Sequence, residues 1–276
     1  MLHEVAFEVS GSRASLRRIW AMVARYAYLI KGSVPRIMEL MYWPLVQMLL
    51  WGFLQTHLAR STALYEQAAG LLIGSVLLWD ILLRSQFGFS LSFLEEMWSR
   101  NLSNLLMSPL RPAEYVVSLM TISIIRLCIG LLPVIVLANL MFGFNLFSLG
   151  VALAAFFANL VFAGWTIGLI ANGVVIRYGM GAESFTWIAV FALLPLCCVY
   201  YPLSTLPAWL QPVAQALPPT HVFEGMRALV IEKAFRADLM LTAFGLNLLY
   251  FSAAYLLFLY FLWQARRQGT LMQIGE

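Results

Sequence analysis

The sequence predicts an all-α membrane protein with six transmembrane helices, an N-terminal amphipathic interfacial helix, a helical connection on the cytoplasmic side and an external re-entrant helical hairpin. Two observations lead there. Of the 276 residues, 62% are hydrophobic and only 11% charged, with a mean hydropathy of +0.84, whereas roughly a quarter of the residues of a soluble domain are charged. The uninterrupted apolar stretches run to roughly 20 residues, the length of a helical span, while strands of a membrane barrel would alternate apolar and polar over about ten. Lipid offers the backbone no hydrogen-bond partner, so each stretch must close its bonds internally.

Residues 1–35 read as a cytoplasmic leader, with no cleavable signal peptide expected because acidic and basic side chains interrupt any continuous apolar core. Within it, residues 12–31 have the pattern of a helix lying in the membrane interface. Leu16, Ile19, Trp20, Val23, Ala27 and Ile30 recur on one face, and Arg13, Arg17, Arg18 and Arg25 fall largely off it.

A six-helix transmembrane domain follows over 36–263, with spans at 36–58, 68–90, 115–141, 147–176, 185–203 and 239–263, and a cytoplasmic tail closes the chain at 264–276. An even number of spans puts both termini on one side. Arg13, Arg17, Arg18, Arg25, Lys31, Arg36, Arg84, Arg100, Arg111, Arg177, Arg266 and Arg267 then share that side, against Arg60, Arg227, Lys233 and Arg236 on the other, with Arg126 inside a span. Positive charge concentrates on the cytoplasmic side of membrane proteins, so both termini are expected in the cytoplasm. The net charge of +4 follows topology, and no nucleic-acid partner is expected.

Two connections exceed what a turn requires. The cytoplasmic one, over 93–112, reads as a short helix that carries Glu95, Glu96 and Arg100, then Leu102, Leu105 and Leu106, and ends at Pro109. The external one, over 204–238, reads as two short apolar helices broken at Pro218 and Pro219, with Pro207, Trp209 and Pro212 in its first half. Gly164 and Gly168, with Asn159 and Asn172 nearby, mark a close-packing face on the fourth span, either within the chain or at a dimer seam.

Residues that carry catalysis are scarce. The only histidines are His3, His57 and His221, and no pair has the spacing of a zinc site. Cys128, Cys197 and Cys198 lie in apolar segments and suggest neither a disulfide framework nor a metal site. Glu95-Glu96-x-x-x-Arg100 matches the first motif of intramembrane glutamate proteases, which also need histidines at membrane depth, and none is placed there. The lysines, Lys31 and Lys233, are not preceded by the glycines of a phosphate-binding loop, so the chain lacks that route to ATP. The intramembrane charges are Glu39, Asp80, Arg84 and Arg126. Asp80 and Arg84, four apart, can neutralise each other, whereas Arg126 has no evident local partner. So few acidic residues in the spans disfavour an ion-coupled carrier.

The layout resembles the permease subunits of type-2 ATP-binding-cassette exporters over nearly the whole chain. The segment from Glu95 through Leu105-Leu106-Met107-Ser108-Pro109-Leu110-Arg111-Pro112 is similar to that family's coupling helix, about 93–109, although many members have a Gly-Thr pair where Arg100-Asn101 stands here. The segment from Tyr201 to Leu210, continued by Pro218-Pro219-Thr220 and Arg227, resembles its external gate hairpin.

The resemblance implies a transport subunit that holds no cofactor itself and works with two copies of a cytoplasmic ATPase carrying ATP and Mg. A second permease copy or a related permease would complete the assembly in a bacterial inner (plasma) membrane. Glu95, Glu96, Arg100, Leu105, Leu106, Arg17 and Arg18 would couple to the ATPase, and Pro207, Trp209, Pro218 and Pro219 would form the external gate. A hydrophobic or amphipathic compound is the expected cargo. A lipid-linked glycan passing Trp187, Tyr200 and Tyr201 is the alternative.

Overall fold

The computed structural model describes residues 11–61, 66–143 and 145–268, and among these it is all-helical. The elements are α1 (Ser12–Lys31), α2 (Val34–Ser61), α3 (Glu66–Trp98), α4 (Leu102–Met107), α5 (Pro112–Phe142), α6 (Val151–Tyr178), α7 (Ser184–Leu193), α8 (Gln211–Gln215), α9 (Pro218–Ile231) and α10 (Ala237–Gln268). Among the described residues, five helices are long and apolar enough to cross a membrane: α2, α3, α5, α6 and α10. The leader's residues 1–10 and the tail beyond 268 lie outside the described residues.

Helix α3 runs through the middle of the bundle, packed along α6, α5 and α2, while α6 also lies along α10. Its candidate span is the most buried of the five. The small-residue stripe of α6 explains how close α3 comes. A Cβ at Gly164 would lie 2.7 Å from the Leu82 carbonyl and collide with the Ser85 hydroxyl, and one at Gly168 would meet the Phe89 ring at 2.9 Å. These glycines therefore serve packing within the chain.

Three expectations are revised. The expected fifth span, 185–203, is helical only over α7, because Pro195 has no N–H to continue the ladder, and Cys198 then turns the chain at φ +52°. The connection expected on the cytoplasmic side is not one helix over 93–109. Glu95 and Glu96 belong to the last turns of α3, and α4 is a separate short helix. Arg100 divides them at φ +52°, with the Asn101 N–H donating to the Glu96 carbonyl at 2.9 Å. This is a helix stop that usually places glycine in the left-handed position. Finally, α10 carries on to Gln268, into the segment expected to be tail.

α1 covers the expected residues with its apolar face rotated. Met22, Val23, Tyr26 and Ile30 are buried against the bundle, while Leu16 and Trp20 face outward. Arg18 and Arg25 turn toward the protein because buried carboxylates await them there. α9 begins at the proline pair, where Pro218 supplies the preset φ and missing N–H that suit a first turn. It packs on α10 and α6 at the end of the bundle opposite α1.

Candidate functional site

The last turns of α3 gather the charges of the α1 end. Glu96 is 1% exposed and accepts from Arg25 Nη2 of α1 at 3.0 Å and from Asn101 Nδ2 at 2.7 Å. Its neighbour Glu95 accepts from Arg126 Nη2 of α5 at 2.8 Å, and Arg36 Nη1 of α2 stands 3.8 Å from its other oxygen. Adjacent carboxylates on one helix are thus tied to three different helices. Arg126, which has no local partner in sequence, finds one 31 residues away.

A second clasp joins α1 to the start of α5. Arg18 grips Glu114 with both ends of its guanidinium, Nε at 2.8 Å and Nη2 at 2.6 Å, and this pairing raises the Arg18 pKa above its ordinary value. Glu114 also accepts the Arg111 N–H at 3.0 Å, which caps the helix that Pro112 opens. Between the clasps, burial pushes the Tyr26 hydroxyl well above its usual range. Charges removed from water persist only when paired, and among the described residues each of these carboxylates has an arginine.

Deeper in α3, Arg84 Nε donates to Asp80 at 2.7 Å and Nη1 to the Leu40 carbonyl of α2 at 2.5 Å. Gly130 of α5 makes room for that reach, since a Cβ there would stand 2.6 Å from the Leu40 oxygen and 2.8 Å from Arg84 Nη1. The pairing within α3 was expected from the four-residue spacing; the anchor on α2 was not.

Beside these pairs lies a cavity of about 570 Å³ between α2, α3 and α7. Glu39, Trp43 and Gln47 line it from α2, Arg84, Phe87, Glu95 and Trp98 from α3, and Trp187 and Phe191 from α7, with Arg126 behind. Phe87 and Trp187 pack at 4.6 Å between ring centroids, and Trp98 Nε1 donates to Glu183 at 3.0 Å.

At the opposite end, Arg227 of α9 donates to the Cys198 carbonyl, to the Val199 carbonyl at 3.1 Å and to Glu224 at 2.7 Å. Glu224 in turn accepts the Leu203 N–H at 2.8 Å. These contacts satisfy the Cys198 and Val199 carbonyls and the Leu203 N–H of the non-helical stretch after α7. Tyr201 contributes too, donating its hydroxyl to the Pro195 carbonyl at 2.5 Å.

The structure separates the residues the sequence grouped. Glu95, Glu96 and Arg18 are engaged within the chain, Arg17 is exposed on α1, Arg100 occupies the turn, and Leu105 and Leu106 lie on α4, where the Leu106 side chain is outside the described residues. Of the hairpin residues, Pro218 and Pro219 are buried and Trp209 is exposed; Pro207 accepts the Leu210 N–H at its carbonyl, at 2.8 Å. Arg25, Glu114, Gly130, Glu224 and Arg227 emerge from the structure with roles the sequence did not assign. Only Glu114 had a readable signal, as the third residue of a helix that starts at a proline.

A bundle of several apolar helices of spanning length defines a multi-pass membrane protein. Residues 18–231 match the family model described as ABC-2 type transporter. The match runs from the middle of α1 to the end of α9 and covers more than half of the chain, so the protein belongs to the ABC-2 type transporter family, as a membrane permease component of an ABC transporter. Permeases of this family are generally paired with an ATP-binding-cassette subunit and are generally not catalytic themselves. A search of curated proteins finds no match.

Proposed function

We propose that this permease exports a hydrophobic or amphipathic compound through a path that includes the α2–α3–α7 cavity, driven by two cytoplasmic ATPase subunits that carry ATP and Mg. In this reading both termini and the α1 end are cytoplasmic, the membrane is a bacterial inner (plasma) membrane, and a second copy or a related permease completes the path. The ATPase seats against α4, Arg17 of α1 and the α3–α4 turn at Arg100, and cargo leaves past Trp209 and the Pro218–Pro219 end of α9.

One observation carries the reading. Glu95 and Glu96 tie the end of α3 to α1, α2 and α5 together, so a push on the α3–α4 turn is delivered to three helices rather than dissipated in one. Movement of packed helices as rigid bodies is how such a displacement could reach a cavity between them. A lipid-linked glycan is the second cargo reading. It draws on Trp187 in the cavity wall and on the stacking of Trp51 and Tyr200 at 4.7 Å, since sugars pack on aromatic rings.

The test is charge reversal in the purified complex. A chain carrying Arg17→Glu and Arg100→Glu, both at exposed positions, should still copurify with the ATPase and lose most of the permease-dependent stimulation of ATP hydrolysis. Unchanged stimulation would reject the coupling role, and failure of the unaltered chain to bring down any ATPase subunit would reject the transporter assembly.

A further inference from the structure

The charges around the cavity are not evenly satisfied. Arg84 is held by Asp80 and the Leu40 carbonyl. Arg126 is held by Glu95, and Arg36 stands by the same carboxylate while donating to the Leu29 carbonyl at 3.4 Å. Glu39 lines the same cavity, is exposed to it, and among the described residues has no ion-pair or hydrogen-bond partner. Arg36, one turn earlier on α2, reaches back toward Glu95 and the Leu29 carbonyl.

The walls beside that carboxylate are aromatic. Trp43 follows Glu39 by one helical turn, so the two share a face of α2, and Trp43 is 62% exposed in the chain. Across the cavity stand the packed pair Phe87 and Trp187. Aromatic rings attract cations through their negative faces, and a carboxylate at the rim of a largely apolar cavity acts through a lower dielectric than water. Such a site favours a positive head on an apolar body.

We infer that the cavity takes a cationic amphiphile, a protonated amine or quaternary ammonium on an apolar framework, with Glu39 as its counter-charge and Trp43 and Trp187 as its walls. The inference rests on the permease reading and names the cargo class of that same site. It also opposes the glycan alternative, since a neutral sugar needs donors and acceptors around it more than one fixed charge.

Two probes of matched shape and opposite charge, tetraphenylphosphonium and tetraphenylborate, test it by equilibrium dialysis against the full chain in lipid nanodiscs, with empty nanodiscs subtracted. The phosphonium should bind more tightly than the borate. Glu39→Gln should reduce that preference about tenfold, the scale of one charge contact at a partly desolvated site. Glu39→Asp should retain most of it, and Trp43→Leu should weaken the phosphonium more than the borate.

Each variant is read only where its unfolding temperature in nanodiscs matches that of the unaltered chain, so that a change in the ratio reports the site and not folding. An unchanged ratio in Glu39→Gln overturns the proposal. So does tighter binding of the borate that Arg36→Gln abolishes, which would make the site anionic in preference. If the phosphonium preference fails while the ATPase still copurifies, the cationic cargo is rejected alone; if copurification fails, the permease assembly falls with it.

Discussion

The two ends of the bundle solve the same problem, polar groups removed from water, by different means. At the α1 end, arginines from α1, α2 and α5 meet carboxylates of α3 and α5 across helix boundaries. At the α9 end, one arginine collects backbone carbonyls of a stretch that is not helical. Ion pairs between intact helices can lengthen or exchange partners while each helix keeps its own hydrogen bonds. The Arg227 contacts have no such freedom, because they hold the local backbone in shape. Under the proposed function, the first end would pass displacement between helices and the second would keep a fixed form at the exit.

Breaking the fixed end should have the largest effect on stability. Arg227→Ala strands two carbonyls and Glu224 at once and should cost about 3 kcal/mol, seen as a large drop in thermal unfolding temperature in detergent, with Arg227→Lys recovering only part. Gly130→Ala sharpens the comparison inside the charged half. Its methyl meets the Leu40 carbonyl at 2.6 Å and should cost about 2 kcal/mol by forcing α2 and α5 apart. Arg25→Ala leaves Glu96 with Asn101 alone. Because Arg25 is 39% exposed, the loss should be about 1 kcal/mol, below the range for fully buried pairs.

Arg100→Gly has the opposite sign. It relieves a side chain at φ +52° and should stabilise by about 1 kcal/mol in the same melt. Least affected is Arg236→Ala, since the Arg236–Asp238 pair is open to solvent; no measurable change in unfolding temperature is expected.

What the sequence disclosed follows from the range of each signal. Apolar runs and helical periodicity are local, so α1, α2, α5 and α10 were legible to within a few residues. The break between α3 and α4 was not, because the left-handed position is filled by Arg100 and not by the glycine that would announce it. The short α7 was hidden by continuous apolarity through Leu193-Leu194-Pro195-Leu196, where one proline outweighed the pattern around it.

The site divides in the same way. Asp80 and Arg84 lie four apart and could be paired on paper. Arg126 with Glu95, Arg25 with Glu96 and Arg18 with Glu114 are separated by 31, 71 and 96 residues, and only the packing of α1, α3 and α5 brings them together. A helical wheel sends the arginines of α1 to solvent because it knows nothing of the carboxylates waiting beneath. The cavity was hidden for a related reason, its walls being drawn from five helices with no shared motif.

Exchange of partners in the Arg25–Glu96 pair tests most directly whether the α1 end transmits movement. Permease-dependent stimulation of ATP hydrolysis would be measured for Arg25→Glu, for Glu96→Arg and for both together in reconstituted complex. A transmitting clasp predicts that each single reversal abolishes most of the stimulation and that the double reversal restores a substantial part of it. Full stimulation in both single variants, or a double variant no better than either, would contradict the account.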